Sequence, residues 1–409
     1  MRSVVLVAAL AGCGDGLTVA GDAATETPDA PGGLVEVQLV GDGALAGHRV
    51  YFQQRDSQLA LSTTTNGEGR ASAFMRPGGF VTVALERGAR VELYTHVDVE
   101  PGAHLIVGGA MIEDETRPEW LTPIVKTLAP EPARYRLFAP GTNTSLLSST
   151  ADPAGEWVII TNTAAEVDLL LVANLEDGAP VGYQYREDAD LAYPVEFDGS
   201  YAPYQRSTVT IEGRPPEASE YGVQQVLVDP SGELGNPATA TVFDDSDVMT
   251  LEPRPLPAVA TLMTKYEPFT NSDHVVDWRP ASTSTRLDLG GRSLRAIHAP
   301  AYADHEIRWS DGTGSDLGDV VLANLQWSTF DVSVNWYLLG PRTSEPHLRV
   351  PVLPRADLVP PDFVTMPNEV IAIDADADAA RTVLGRWRRG QMWPYTGASG
   401  QVRWRSSTL

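Results

Sequence analysis

The sequence predicts an all-β fold, with two or three tandem Ig-like or transthyretin-like β-sandwich domains after a leader and a flexible tether. Three observations predict it. Apolar and polar residues alternate with a period of two through most of the chain, turn-forming Gly, Pro, Asn and Asp separate those runs, and only residues 379–388 show helical periodicity. At 409 residues and 43% hydrophobic, the chain can fill two or three ordinary cores. A single cysteine excludes an intrachain disulfide, so stability has to come from those cores.

Residues 1–12 are expected to be a signal peptide. Arg2 supplies positive charge, and an apolar run from Val4 to Ala11, too short to span a bilayer, leads to Gly12 and Cys13. Leu10-Ala11-Gly12-Cys13 is similar to the lipobox of bacterial lipoproteins. The resemblance implies cleavage before Cys13, acylation of its thiol, a membrane partner through the lipid anchor, and a place in the cell envelope, at the outer membrane or cell surface. Each buried methylene contributes about 0.8 kcal/mol, and stable attachment takes more than one chain. Residues 13–33, rich in Gly, Ala, Thr, Asp and Pro, are too polar to fold alone and form the expected tether.

The first expected domain is 34–109. Val35, Val37 and Leu39 alternate with Glu36 and Gln38, and Val91, Leu93, Thr95, Val97 and Val99 alternate with polar partners, as half-buried strands do. Thr65-Asn66-Gly67-Glu68-Gly69 has the chemistry of a hairpin turn. Gly41 to Phe52, Thr63 to Ala71 and Pro77 to Val83 follow one another with Gly-Asp-Gly, Thr-Asn-Gly and Pro-Gly-Gly-Phe signatures. This stretch resembles the carboxypeptidase regulatory-like family of transthyretin-type sandwiches. The resemblance implies a fold and a spacer or adhesive platform, not an activity.

The second expected domain, 128–252, has strand candidates at 134–138, 157–161, 167–172, 207–211, 222–228 and 239–243. Its segment 171–185 echoes the first domain through Asp177-Gly178-Ala179 followed by an aromatic strand. The proline cluster Pro253-Arg254-Pro255-Leu256-Pro257 marks the boundary to the third, 258–409, which holds seven of the nine tryptophans. There Phe330, Val332, Val334, Trp336 and Leu338 share one face of a core strand, with Asp331, Ser333 and Asn335 on the other.

Charge narrows the function. A formal −24, from 54 acids against 30 bases, excludes general nucleic-acid binding, which needs a basic surface. Asp374-Ala375-Asp376-Ala377-Asp378 alternates like a calcium loop, but the sixth and twelfth positions are Ala379 and Gly385, where such a loop needs Gly and an acid. His298, Asp304, His305 and Glu306 are close in sequence without a zinc spacing, and a strand through 305–309 would point His305 and Glu306 to opposite faces. Gly312-Thr313-Gly314-Ser315-Asp316 is a glycine-rich loop and not a nucleophile elbow. No catalytic residue, metal site or cofactor is assigned, and the balance leans away from an enzyme. After Asp378 the chain has no acid and six arginines. Arg386-Trp387-Arg388-Arg389 and Arg403-Trp404-Arg405 interleave guanidinium and indole, a pattern suited to an anionic ligand or glycan. The competing account pairs these arginines with the protein's own acids. The expected function is a surface- or envelope-anchored lipoprotein with a non-enzymatic adhesion, structural or ligand-display role and a cell-surface glycan or envelope protein as partner. The alternative is an exported carbohydrate-binding or hydrolytic protein with its site in the last third.

Overall fold

A computed structural model describes residues 32–40, 45–108, 117–121, 123–125, 134–139, 146–149, 157–161, 166–175, 177–190, 193–198, 200–214, 221–229, 232–233, 239–244, 246–268, 274–375 and 400–407. The described residues are all-β, with the short turn Ala356–Leu358 as their one helical element. All six strand candidates between 134 and 243 are strands, with ends that shift by a residue or two.

The organising element is a 13-stranded sheet. From one edge it runs Leu59–Thr64, Arg49–Gln53, Gly79–Arg87, Arg90–Val99, Ser333–Pro341, Val320–Ser328, Glu369–Ala375, Gly400–Ser406, His274–Pro280, Thr261–Pro268 and Tyr221–Asp229, which at its outer edge pairs both Gly232–Glu233 and Thr239–Asp244. It thus takes strands from all three expected segments. Every pairing is antiparallel except one, where Arg90–Val99 lies parallel to Ser333–Pro341 in the register Ser333↔Arg90. A parallel pair brings the starts of both strands, and the turns that feed them, to the same end of the sheet.

Both faces of this sheet are covered. On one, the sheet Arg70–Met75, Gly33–Val40, His104–Gly108 lays Val35, Val37 and Leu39 into a core with Phe52, Val83, Tyr94, Tyr337, Ile371 and Val402. With the long-sheet strands Leu59–Thr64, Arg49–Gln53, Gly79–Arg87 and Arg90–Val99, it makes the N-terminal segment a two-layer sandwich of seven strands. The other face carries three covers side by side. Residues of the sheet Ile297–Ala303, Glu306–Asp311, His347–Arg349 and of the segment 350–364 pack on Leu93, Val321, Trp336 and Ala372. The sheet Val248–Thr250, Thr208–Glu212, Ser284–Asp288 packs on Tyr221, Val223, Tyr266 and Val275. Strands Glu166–Asn174 and Pro180–Asp190 place Leu170, Val172 and Tyr183 on Leu227 and Leu262.

Double coverage corrects two expectations. Arg90–Val99 is not half-buried, because Glu92 and Tyr94 are as buried as Leu93 and Val97. The strand expected from Phe330 begins only at Ser333, leaving Phe330 exposed in the loop, and Tyr337 and Leu339 on its second face are buried as well. The turn at 65–69 is a third correction. Asn66 Oδ1 accepts from the backbone N–H of Glu68 and Arg70, but the flanking strands belong to different layers, so the turn is an arch between sheets instead of a hairpin.

Candidate functional site

Strand Gly400–Ser406 carries the three described members of the arginine-tryptophan pattern, and strand alternation divides them. Val402 and Trp404 face the first core, where the Trp404 indole stacks on His274 at 5.2 Å and 15°. Burial there pushes the His274 imidazole below its ordinary value, with the Glu267 carboxylate pulling the other way. Arg403 and Arg405 face the opposite side. Arg403 donates to Asp374 Oδ2 at 2.6 Å, Asp316 Oδ2 at 3.0 Å and the Arg292 carbonyl at 2.7 Å. Arg405 donates to the Leu294 carbonyl at 2.7 Å. Trp404 is therefore on the other side of the sheet from the two arginines. Arg386, Trp387, Arg388 and Arg389 lie outside the described residues.

The two guanidiniums bind the 292–316 segment to the sheet. Planar forks suit this task, since one Arg403 meets two carboxylates and a carbonyl in different directions. The glycine-rich loop is part of the same joint. Gly314 has φ +136°, and a Cβ there would come within 2.4 Å of the Leu294 carbonyl oxygen that Arg405 engages. Asp316 also accepts from the backbone of Gly318 at 3.0 Å. Beside Arg403 is a cleft of about 370 Å³ lined by Val275, Asp288, Asp319, Asp374 and Gln401. Its position is set by the covers, for Val275 belongs to one core and Ala372, beside Arg405 in register, to the next.

A second polar joint occupies the neighbouring seam. Along Tyr221–Asp229, Val223 packs in one core and Leu227 in the next, with Gln225 between them on the same face. Its amide donates to Thr264 Oγ1 and Thr285 Oγ1, both at 3.0 Å, and its Oε1 accepts from Ser207 Oγ at 2.9 Å and Arg254 Nη2 at 2.7 Å. Arg254 is 2% exposed, and burial lowers its guanidinium to about 10. The proline cluster thus places its arginine inside the protein. Sequence reasoning missed this pair, although a glutamine amid Val223, Val226, Leu227 and Val228 is the signal that could have found it.

The other candidates resolve into local structure. Asp374, first of the alternating carboxylates, holds Arg403, while Asp376 and Asp378 lie outside the described residues. Asp304 and His305 are not in a strand. With φ of 51° and 59° they form the two-residue turn between paired Ala303 and Glu306, a mirror-image turn matched to the twist of its strands. Among the described residues, no three His, Cys, Asp or Glu side chains converge as a metal-holding group.

No known family matches the chain, and no curated protein matches it. Solved structures similar to it include the Bacillus anthracis TIE protein, at 10% identity over 63% of this chain and 50% of that one, with a TM-score of 0.17. A streptococcal ancillary pilin is similar at 13% identity over 63% and 98% of the two chains, TM-score 0.19. The pilus adhesin SpaC from Lactobacillus rhamnosus GG is similar at 9% identity over 80% and 44%, TM-score 0.15. The chain spans half the length of the first of these and less than half of the third. Likeness at such scores carries no functional argument.

Proposed function

We propose that this chain is an exported envelope protein, anchored by lipid at Cys13, whose β body serves adhesion, envelope structure or ligand display rather than catalysis. The observation that carries this reading is the through-going sheet. Its 13 strands are hydrogen-bonded in sequence from Leu59–Thr64 to the Tyr221–Asp229 edge and covered on both faces, with the arginines of the last strand committed to joints between covers. Such a body suits bearing and presenting loops at its sheet ends. The lipobox-like Leu10-Ala11-Gly12-Cys13 and the polar stretch that follows supply the anchor and the stand-off. The N-terminal two-layer sandwich supports reading this segment as a platform, the role that the carboxypeptidase regulatory-like resemblance implies.

The experiment is to express the full precursor and its Cys13→Ala form in a bacterial host and compare intact mass and membrane fractionation. The precursor is expected to gain a lipid-sized mass and sediment with membranes, both lost on Cys13→Ala. Equal masses and equal soluble behaviour would refute the anchor.

A further inference from the structure

The arch between the two layers of the N-terminal sandwich contains Asn66-Gly67, the one place in the chain where an asparagine precedes a glycine. Both residues are exposed, as is Glu68. The backbone is fixed on either side of them. Thr65 N–H donates to the His48 carbonyl at 2.9 Å and Thr65 Oγ1 to the Leu45 carbonyl at 2.6 Å. Asn66 N–H donates to the Arg70 carbonyl, and Gly69 N–H donates back to the Asn66 carbonyl, both at 2.9 Å. Gly69 closes the turn with φ +76°, where a Cβ would meet the Leu39 carbonyl oxygen at 3.0 Å.

Within this frame the Asn66 side chain and the Gly67 nitrogen are in contrasting states. Asn66 Oδ1 accepts two backbone N–H bonds, from Arg70 at 2.8 Å and from Glu68 at 3.0 Å. Paired donors at such distances stabilise an oxyanion. They draw electron density toward Oδ1, leave Cγ more electrophilic, and are in position before any charge develops. The Gly67 N–H has no hydrogen-bond partner among the described residues and faces solvent, where hydroxide can remove its proton. Neither space nor a left-handed backbone requires glycine at 67, for a Cβ would meet nothing within 4 Å and its φ is not positive. What glycine does there is leave the nitrogen unhindered.

We infer that this arch promotes self-modification of Asn66. The deprotonated Gly67 nitrogen attacks Asn66 Cγ, and the charge that develops on Oδ1 is held by the Glu68 and Arg70 N–H groups. The N–Cγ bond forms, the Cγ–Nδ2 bond breaks, and ammonia leaves, its third proton replacing the one that Gly67 lost. Water then opens the resulting cyclic imide. Attack at Cγ breaks the new bond and gives aspartate, whereas attack at the main-chain carbonyl carbon breaks the original peptide link and gives isoaspartate. Overall one water enters and one ammonia departs, with no oxidant or cofactor. Aspartate keeps the acceptor for both N–H groups and adds a charge beside Glu68, whose carboxylate is 3.7 Å from the Arg70 guanidinium. Isoaspartate lengthens the main chain by one methylene between Thr65 and Gly69, so a bond that fixes the arch between Leu59–Thr64 and Arg70–Met75 has to shift. The reaction depends on the arch alone and is independent of Cys13 and of the role proposed for the β body.

The test incubates the folded full chain and a synthetic peptide of residues 62–71 in the same neutral buffer. Peptide mapping by mass, with chromatographic separation of the aspartate and isoaspartate products, follows residue 66. It is expected to convert at least about tenfold faster in the folded chain than in the peptide, a modest share of the roughly 10²–10³ that one oxyanion-hole donor supplies in an enclosed site. Gly67→Ala is expected to slow the folded chain while its circular dichroism is unchanged. Equal or slower conversion in the folded chain would show that the arch protects Asn66 and would overturn the inference. So would a rate indifferent to Gly67→Ala, which would place the reaction outside the cyclic route.

Discussion

Arg254, Arg403 and Arg405 are guanidiniums that the fold uses internally, each in a seam where one covering sheet gives way to the next. A continuous apolar sheet face would let three covers slide or exchange places. Fixed hydrogen bonds at the seams specify where each one stops, at the cost of desolvating charge. Gln225 shows this most clearly, because one amide joins the sheet to Ser207, Thr285 and Arg254. Gln225→Leu should therefore lower unfolding free energy by about 3 kcal/mol, since it leaves a buried guanidinium with fewer acceptors. Arg254→Met, which removes the charge along with its demand, should cost under about 1.5 kcal/mol. Urea denaturation of both variants checks the contrast, and equal losses would show that packing, not the polar joint, sets the seam. The sequence made Arg403 and Arg405 visible as a pattern but not their partners, and gave no sign of the role of Arg254. Arg403 meets Asp374 and Asp316 only because strand pairing and the Gly314 turn bring distant segments together.

Strands were legible wherever one face differed from the other. Val35, Val37 and Leu39 are buried and Glu36 is exposed, as alternation requires. Pairing was not legible, because a period of two says which way a side chain points and nothing about which strand lies alongside. The parallel union of Arg90–Val99 with Ser333–Pro341 is the largest consequence of that gap. Coverage of both faces is why Arg90–Val99, read as half-buried, is buried on its second face as well. Tyr94 and Tyr337 look like surface residues in sequence, yet they stack on each other at 5.3 Å and 17° in the core. A physical prediction follows at this scale. Residues 34–109 expressed alone would expose the Arg90–Val99 edge, with Val91, Leu93 and Val97 stripped of their cover. An uncapped apolar edge recruits other strands. Size-exclusion chromatography should show dimers or larger species, whereas a stable monomer would mean that the sandwich is self-sufficient without its parallel partner.

At the scale of the molecule, Gly32–Leu409 forms one compact unit around a single sheet. Fold class was readable from composition and periodicity. The joining of all three expected segments in one sheet was not, since it depends on strand partners far apart in the chain. The −24 charge favours solubility of such a body and turns it away from nucleic acid. The claim on which the functional account rests is display on the outside of the cell. Protease added to intact cells producing the full precursor tests it most directly, with blotting for the β body and for a cytoplasmic marker. Loss of the β body while the marker survives is the predicted result. Survival of both until the cells are lysed would contradict the account.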